Sequence, residues 1–196
     1  MKSDFEILKE LLQKDRSIRR FDESKSIKKE TLTSLIDLCR YCASGRNLQP
    51  LKYKIISEKD MNEAIFPWLG WAGYLKEWPG PEEGERPTAY LIQCLDKNIT
   101  ENLLCDDGLQ LQAITLGAIA QGIGACIIKS FNSKKIREIL DLPDNLEITY
   151  IVALGYPVEK VVIEEMDSNL EDGFYYYRTE DKVHHVPKRN LKELIL

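Results

Sequence analysis

Ala43-Ser44-Gly45-Arg46-Asn47-Leu48-Gln49-Pro50 is the stretch around which the rest of this 196-residue chain is organised. It separates an amphipathic helical pattern, Ile27 to Cys42, from a strand-like run, Tyr53 to Ser57. A helix-to-strand connection does not need eight such residues. Gly45 and Pro50 set the backbone, while Ser44, Asn47 and Gln49 supply a hydroxyl and two side-chain amides. Such groups donate to and accept from a flat polar ring without adding charge. A solvated loop has the same composition, so the neighbours have to decide.

Toward the N-terminus, Phe5, Leu8, Leu11 and Leu12 recur at helical spacing and predict a helix over 3–14. Asp15-Arg16-Ser17-Ile18-Arg19-Arg20-Phe21 follows, with three cations in five residues. These cations fit a basic patch at a helix end. They equally fit an anion site, where Arg16 and Arg19 offer guanidinium forks and Ser17 a hydroxyl to a phosphate. Ile27, Leu32, Leu35, Ile36 and Cys39 mark the next helix. Cys39 and Cys42 have Cys-x-x-Cys spacing, but no second such pair exists, and His184-His185 lacks zinc-finger spacing. A thioredoxin-like pair opens a helix after a strand, whereas this one closes a helix. Two small buried residues one turn apart explain it.

Toward the C-terminus, Lys52–Ser57 reads as a strand and Met61–Phe66 as a short helix. Trp68, Trp71, Tyr74 and Trp78 then lead into a Pro/Gly-rich run ending at Pro87, a loop or lid packed on the domain. Thr88–Leu95 is a buried strand, and 101–121 is a helix with Leu103, Leu104, Leu111, Ile114, Ala118 and Ile119 facing inward, stopped by Gly122. Asp106-Asp107 has no third carboxylate at helical spacing and reads as a solvated or capping pair. Ala125–Ile128 is a strand, Ser133 caps a helix through Leu140, and Ile148–Leu154 is a further strand. From Asp167 the chain is aromatic but without core periodicity, so it is expected to wrap a surface or a partner, with a short helix in 190–195. His184 and His185 would face opposite sides of a strand, with no nucleophile beside them. Crossovers of uneven length point to an α+β sandwich rather than a regular doubly wound sheet.

The composition, 43% hydrophobic and 30% charged, is that of a soluble globular protein, and 1–196 is expected to form a single domain. A net charge of -5 and a pI near 5.3 argue against nucleic acid or an anionic membrane as partner. The N-terminus has no apolar core of a secretory signal, and the run Ala113–Ala120 is too short for a membrane span. Five cysteines without framework spacing fit a reducing cytoplasm, and no metal site is expected.

Five ordered stretches carry a resemblance. Arg16-Ser17-Ile18-Arg19-Arg20-Phe21 resembles the Arg-Ser-x-Arg-x-Phe opening of the FMN-dependent nitroreductase family, and Ser44–Pro50 its Pro-Ser-x-x-Asn-x-Gln-Pro motif. Gly122-Ile123-Gly124 with the strand Ala125–Phe131 is similar to the family's turn and flavin-facing strand. Leu154-Gly155-Tyr156-Pro157 and Pro187-Lys188-Arg189 resemble its later motifs. Ala43 and Leu51 depart from the pattern, and Lys129 stands where some members carry Glu.

The resemblance implies a mixed central sheet flanked by helices and a homodimer with FMN at the subunit interface. It also implies a wrapping tail, and hydride transfer from NADH or NADPH to the flavin with onward reduction of a nitroaromatic, quinone or similar small oxidant, without a catalytic side chain. By the same resemblance Arg16, Lys188 and Arg189 would hold the phosphate, with Ser17 beside them. Arg19 would stand near flavin N1/C2=O. Ser44, Gly45, Asn47 and Gln49 would border the ring, partly from the second subunit. Ile128, Lys129 and Ser130 would lie along the flavin-facing strand, with backbone N–H groups toward N5. A non-catalytic flavin carrier and a flavin-free Cys-x-x-Cys redox protein are the alternatives.

Overall fold

The computed structural model describes residues 2–196. Its centre is β2 (Ala89–Asp96), every residue of which is buried. This strand pairs on one side with β1 (Leu51–Ile56) and on the other with β4 (Leu146–Gly155), and β3 (Gly124–Ile128) closes the order β1-β2-β4-β3. These pairings are antiparallel; the sheet's parallel element is the Ser17–Ala125 bridge along the β3 edge.

Helices cover both faces, which is why β2 reads as a continuous apolar run rather than an alternating one. Leu91, Val152, Leu154 and Ala125 pack against α2 (Lys29–Asp37) and α4 (Asp106–Ala120) through Leu32, Leu35, Leu111, Ile114 and Ala118. On the other face Tyr90, Ile92, Ile151, Ala153 and Ile128 meet Ile65 of α3 (Lys59–Ile65) and Ile136 and Leu140 of α5 (Ser133–Leu140). Each such side chain contributes about 1.5–3 kcal/mol on burial. Gln93, wholly buried in β2, is satisfied: its carbonyl accepts from Thr149 Oγ1 at 2.7 Å and its amide donates to the Tyr53 hydroxyl at 2.8 Å. The α+β architecture agrees with the sequence reading.

Several boundaries differ from it. Helix α1 (Asp4–Lys14) is present, started by a capping box between Ser3 and Glu6, but none of its residues is buried. The second helix ends at Asp37, and Leu38–Tyr41 tightens into a 3-10 turn that places Cys39 in the core. Helix α4 begins at Asp106 rather than 101, because Leu104 takes φ 53° and breaks the pattern before it. Asp106 is not solvated; it is 1% exposed. Helix α5 is capped by Asn132, whose side chain accepts from the Lys135 N–H at 3.1 Å, and not by Ser133.

The tail folds onto its own chain. Strands β5 (Val161–Glu165), β6 (Tyr177–Arg178) and β7 (His184–Lys188) form a second sheet, order β5-β7-β6, with β5 and β7 parallel. Its aromatic residues meet the 69–88 loop: Tyr74 stacks on Tyr175 with centroids 4.0 Å apart, and Arg178 lies 4.4 Å over Trp78. Loop and tail therefore pack on each other within one chain, while Tyr74, Phe174, Tyr175 and Tyr177 stay partly exposed. After it, Leu191–Glu193 is a 3-10 turn in place of a 190–195 helix, with Leu191, Leu194 and Ile195 exposed.

Candidate functional site

The Ala43–Pro50 segment contains a 3-10 turn, Gly45–Asn47, and three non-glycine residues in the left-handed region: Arg46 (φ 54°), Asn47 (φ 57°) and Gln49 (φ 50°). Left-handed backbone costs a side-chain-bearing residue roughly 1–2 kcal/mol, less for Asn. The loop is held by Asp106, whose carboxylate accepts from Ser44 Oγ and from the Gly45 N–H at 2.8 Å, while Ser44 Oγ accepts from the Gln49 N–H at 2.9 Å. A Cβ on Gly45 would lie 2.0 Å from Cδ1 of the exposed Leu104, which would have to turn aside to admit it. Within the loop the Gln49 amide donates to Asn47 Oδ1 at 3.2 Å. That bond leaves Gln49 Oε1 and Asn47 Nδ2, an acceptor and a donor side by side, facing outward on exposed residues.

A second group forms at the β3 edge. Asp15, Arg16, Ser17, Gln112, Thr115, Ala125 and Ile127 line a cleft of about 180 Å³. The Asp15 carboxylate does not contest an incoming anion freely, because Thr115 Oγ1 and Gln112 Nε2 both donate to it at 2.6 Å. Arg16 donates from one terminal nitrogen to the Leu12 carbonyl at 2.8 Å, and its Nε is buried without an acceptor. Partial burial and the positive charge of Arg16 lower the Lys188 ammonium below its usual range. Two cations thus come within electrostatic reach of each other in a chain of net charge -5. Arg189 is exposed beyond them.

The end of β3 offers a third group. Lys129 turns its ammonium back onto β4, donating to the Thr149 carbonyl at 2.9 Å over the Tyr150 ring. Its backbone N–H and that of Ser130 have no acceptor among the described residues. Ile128 is a core residue at 3% exposure; Ala125 and Ile127 are the residues of this strand that line the cleft. Sequence alternation could have found that swap.

Arg19 is engaged within its own chain. Its guanidinium is 5.1 Å over the Tyr176 ring and 3.2 Å from His184 Nε2, and the residue is 9% exposed. The Glu159 carboxylate accepts from the Arg19 N–H and, at 3.0 Å, from Arg178. Arg19 thus ties the tail to the sheet. Sequence reasoning also missed Asp106, whose signal was its place at the start of α4.

Cys39 and Cys42 are free, and burial pushes the Cys39 thiol up to about 11, which removes the reactive thiolate a redox pair requires. Among the described residues no group of three or more His, Cys, Asp or Glu is placed to hold a metal, and no helix is long and apolar enough to cross a membrane. A larger cleft, of about 480 Å³, opens between α3 and the 83–88 segment and contains none of the sequence-predicted residues.

Comparison with known proteins agrees with this geometry. The sequence model of the nitroreductase family matches residues 12–88 and 96–156. A curated Archaeoglobus fulgidus protein named "Putative NADH dehydrogenase/NAD(P)H nitroreductase" is 22% identical over 160 residues, 78% of this chain and 86% of that protein. Among solved structures, a nitroreductase-like protein from Streptococcus mutans superposes with a TM-score of 0.67 at 15% identity, covering 79% of this chain and 90% of that one. A nitroreductase family protein from Clostridium difficile does so with 0.61 at 22% identity over 95% of each. With the matched segments running from α1 to the end of β4, through both the Arg16 cleft and the Ser44–Gln49 loop, the chain belongs to the nitroreductase family and is an oxidoreductase of that type.

Proposed function

We propose that this protein is an FMN-dependent NAD(P)H oxidoreductase, acting as a homodimer. The observation that carries the reading is the buried Arg16 Nε without an acceptor at the Asp15–Ser17 cleft, with Lys188 near enough for the charge of Arg16 to lower its ammonium, an arrangement suited to a phosphate-like dianion. Arg16 and Lys188, with Arg189 behind them and Ser17 at the cleft, would hold the phosphate. The free acceptor and donor of Gln49 and Asn47 match the alternating C=O and N–H edge of a flavin ring. The unpaired N–H groups of Lys129 and Ser130 supply further donors. When bound, FMN supplies the two-electron carrier between NADH or NADPH and a small oxidant such as a nitroaromatic or quinone, the two using one opening in turn.

Helix α4 supports the dimer. Asp106 anchors the loop and Thr115 anchors Asp15, and nine residues at ~100° each place these anchors roughly half a turn apart around the helix. One protomer therefore presents its loop and its anion cleft to different sides, and a ring touched by both kinds of group draws on two copies.

The decisive experiment is the visible spectrum of the purified protein, after reconstitution with FMN and then after anaerobic NADH or NADPH. A bound flavin bleached by the nicotinamide is expected. Uptake of FAD in preference to FMN, or a bound flavin that neither nicotinamide reduces, would overturn the assignment.

A further inference from the structure

Asp106 is a buried carboxylate that forms no ion pair among the described residues. Its two oxygens are engaged by Ser44 Oγ–H and Gly45 N–H, and Ser44 Oγ in turn accepts from Gln49 N–H. The chain Asp106–Ser44–Gln49 thus spans the loop from its entry to its exit. Between these ends lie the left-handed Arg46 and Asn47, and Gln49 itself is left-handed. A backbone with that many unfavourable dihedrals does not hold its shape unaided.

We propose that Asp106 is the positioning residue of the cofactor-facing loop, fixing the outward donor–acceptor pair of Asn47 and Gln49, and that Ser44 is its tether rather than a cofactor ligand. The proposal rests on the reading that these amides meet the flavin ring. Its chemistry is specific to a carboxylate. Asn at 106 would keep one acceptor for Gly45 but turn an amide N–H2 toward Ser44 Oγ. That oxygen can accept the new donor on its second lone pair beside the Gln49 N–H, but the charge-assisted hydroxyl-to-carboxylate bond is replaced by a neutral one and the Ser44 hydrogen loses its acceptor. The latch would be weakened while the volume at 106 stays the same.

The test compares wild type, Asp106→Asn, Ser44→Ala, the double variant Asn47→Ala/Gln49→Ala, and that double variant carrying Asp106→Asn. Amide hydrogen exchange is measured on flavin-free protein and FMN affinity by quenching of flavin fluorescence. Asp106→Asn is expected to speed exchange at Gly45 and Gln49 about tenfold and to weaken FMN about tenfold. Ser44→Ala, which leaves the carboxylate with Gly45, should speed exchange mainly at Gln49. In the Asn47→Ala/Gln49→Ala background Asp106→Asn should change FMN affinity less than about twofold, because the groups it positions are gone. Unchanged exchange in both single variants shows that there is no latch. An equal loss of FMN affinity in the two backgrounds shows that Asp106 acts by another route. If wild type takes up no FMN, the cofactor reading and the positioning role fall together, and the exchange data still report whether the latch exists.

Discussion

Of the adjacent histidines, His184 points into the molecule at 1% exposure, while His185 turns to Glu164 with Nδ1 3.0 Å from its carboxylate. Strand alternation requires that split. Burial first, then the charges of Arg19, Arg178 and His185, push the His184 imidazole down to about 4. Its unfolded value is near 6.5, so between these limits the unfolded chain takes the proton and the folded one does not. The stability is present in full above about pH 6.5 and about 3 kcal/mol is lost as pH falls to 4 and below. Urea unfolding from pH 7 to 4 should show this acid limb, and His184→Phe should flatten it. Arg16 and Arg19 of the 16–21 motif divide in the same way. Arg16→Ala is expected to weaken FMN by about 10–100-fold, from the loss of charge-assisted bonds to phosphate, without changing thermal stability. Arg19→Ala should cost about 1–2 kcal/mol of stability through the lost Tyr176 contact and leave the potential of bound flavin unchanged. A redox titration beside thermal melts separates them; a shifted potential in Arg19→Ala would return that residue to the ring.

Helix α4 illustrates how differently the two ends of one element are specified. Its C-terminal end is local: Gly122 takes φ 73°, and the Ile123 N–H reaches back to the Ala118 carbonyl at 2.9 Å. A Cβ on Gly122 would meet nothing within 4 Å, so Gly122→Ala carries only the left-handed penalty, about 1–2 kcal/mol in chemical denaturation. A neutral substitution would mean that the turn relaxes out of the left-handed region. The N-terminal end is not local. Leu103 and Leu104 continue the apolar period, yet the helix starts after them, where Asp106 can bond the 43–50 loop.

At the scale of the whole molecule, the apolar face of α1 has no cover in one chain: Phe5 is 74% exposed, and Leu8 and Leu12 are exposed with it. Tyr41, Leu38 and Leu48 add to this open apolar surface. A second copy of the chain is the expected cover. Phe5→Glu with Leu8→Glu should halve the mass seen by light scattering and reduce flavin retention, since the loop and the cleft would then be supplied by one protomer. A flavin-loaded dimer from that variant would remove α1 from the interface.

The sequence by itself determined the strands and helices of the first sheet and their order, because β2 is one continuous apolar run and α4 and α5 each bury a face whose period is written in consecutive residues, whereas β5, β6 and β7 carry no such signal. It also carried the family motifs, and with them Arg16, Asn47, Gln49 and Lys188 as candidates. Only the tertiary structure decided what those motifs meet. Arg19 was drawn to Tyr176 and His184 by a tail more than 150 residues later in the chain. Asp106 became a latch through partners about 60 residues earlier, and the aromatic tail met the 69–88 loop about 100 residues before it. Periodicity reports which residues are buried, but a polar side chain's partner is set by through-space distance, and no local pattern encodes it.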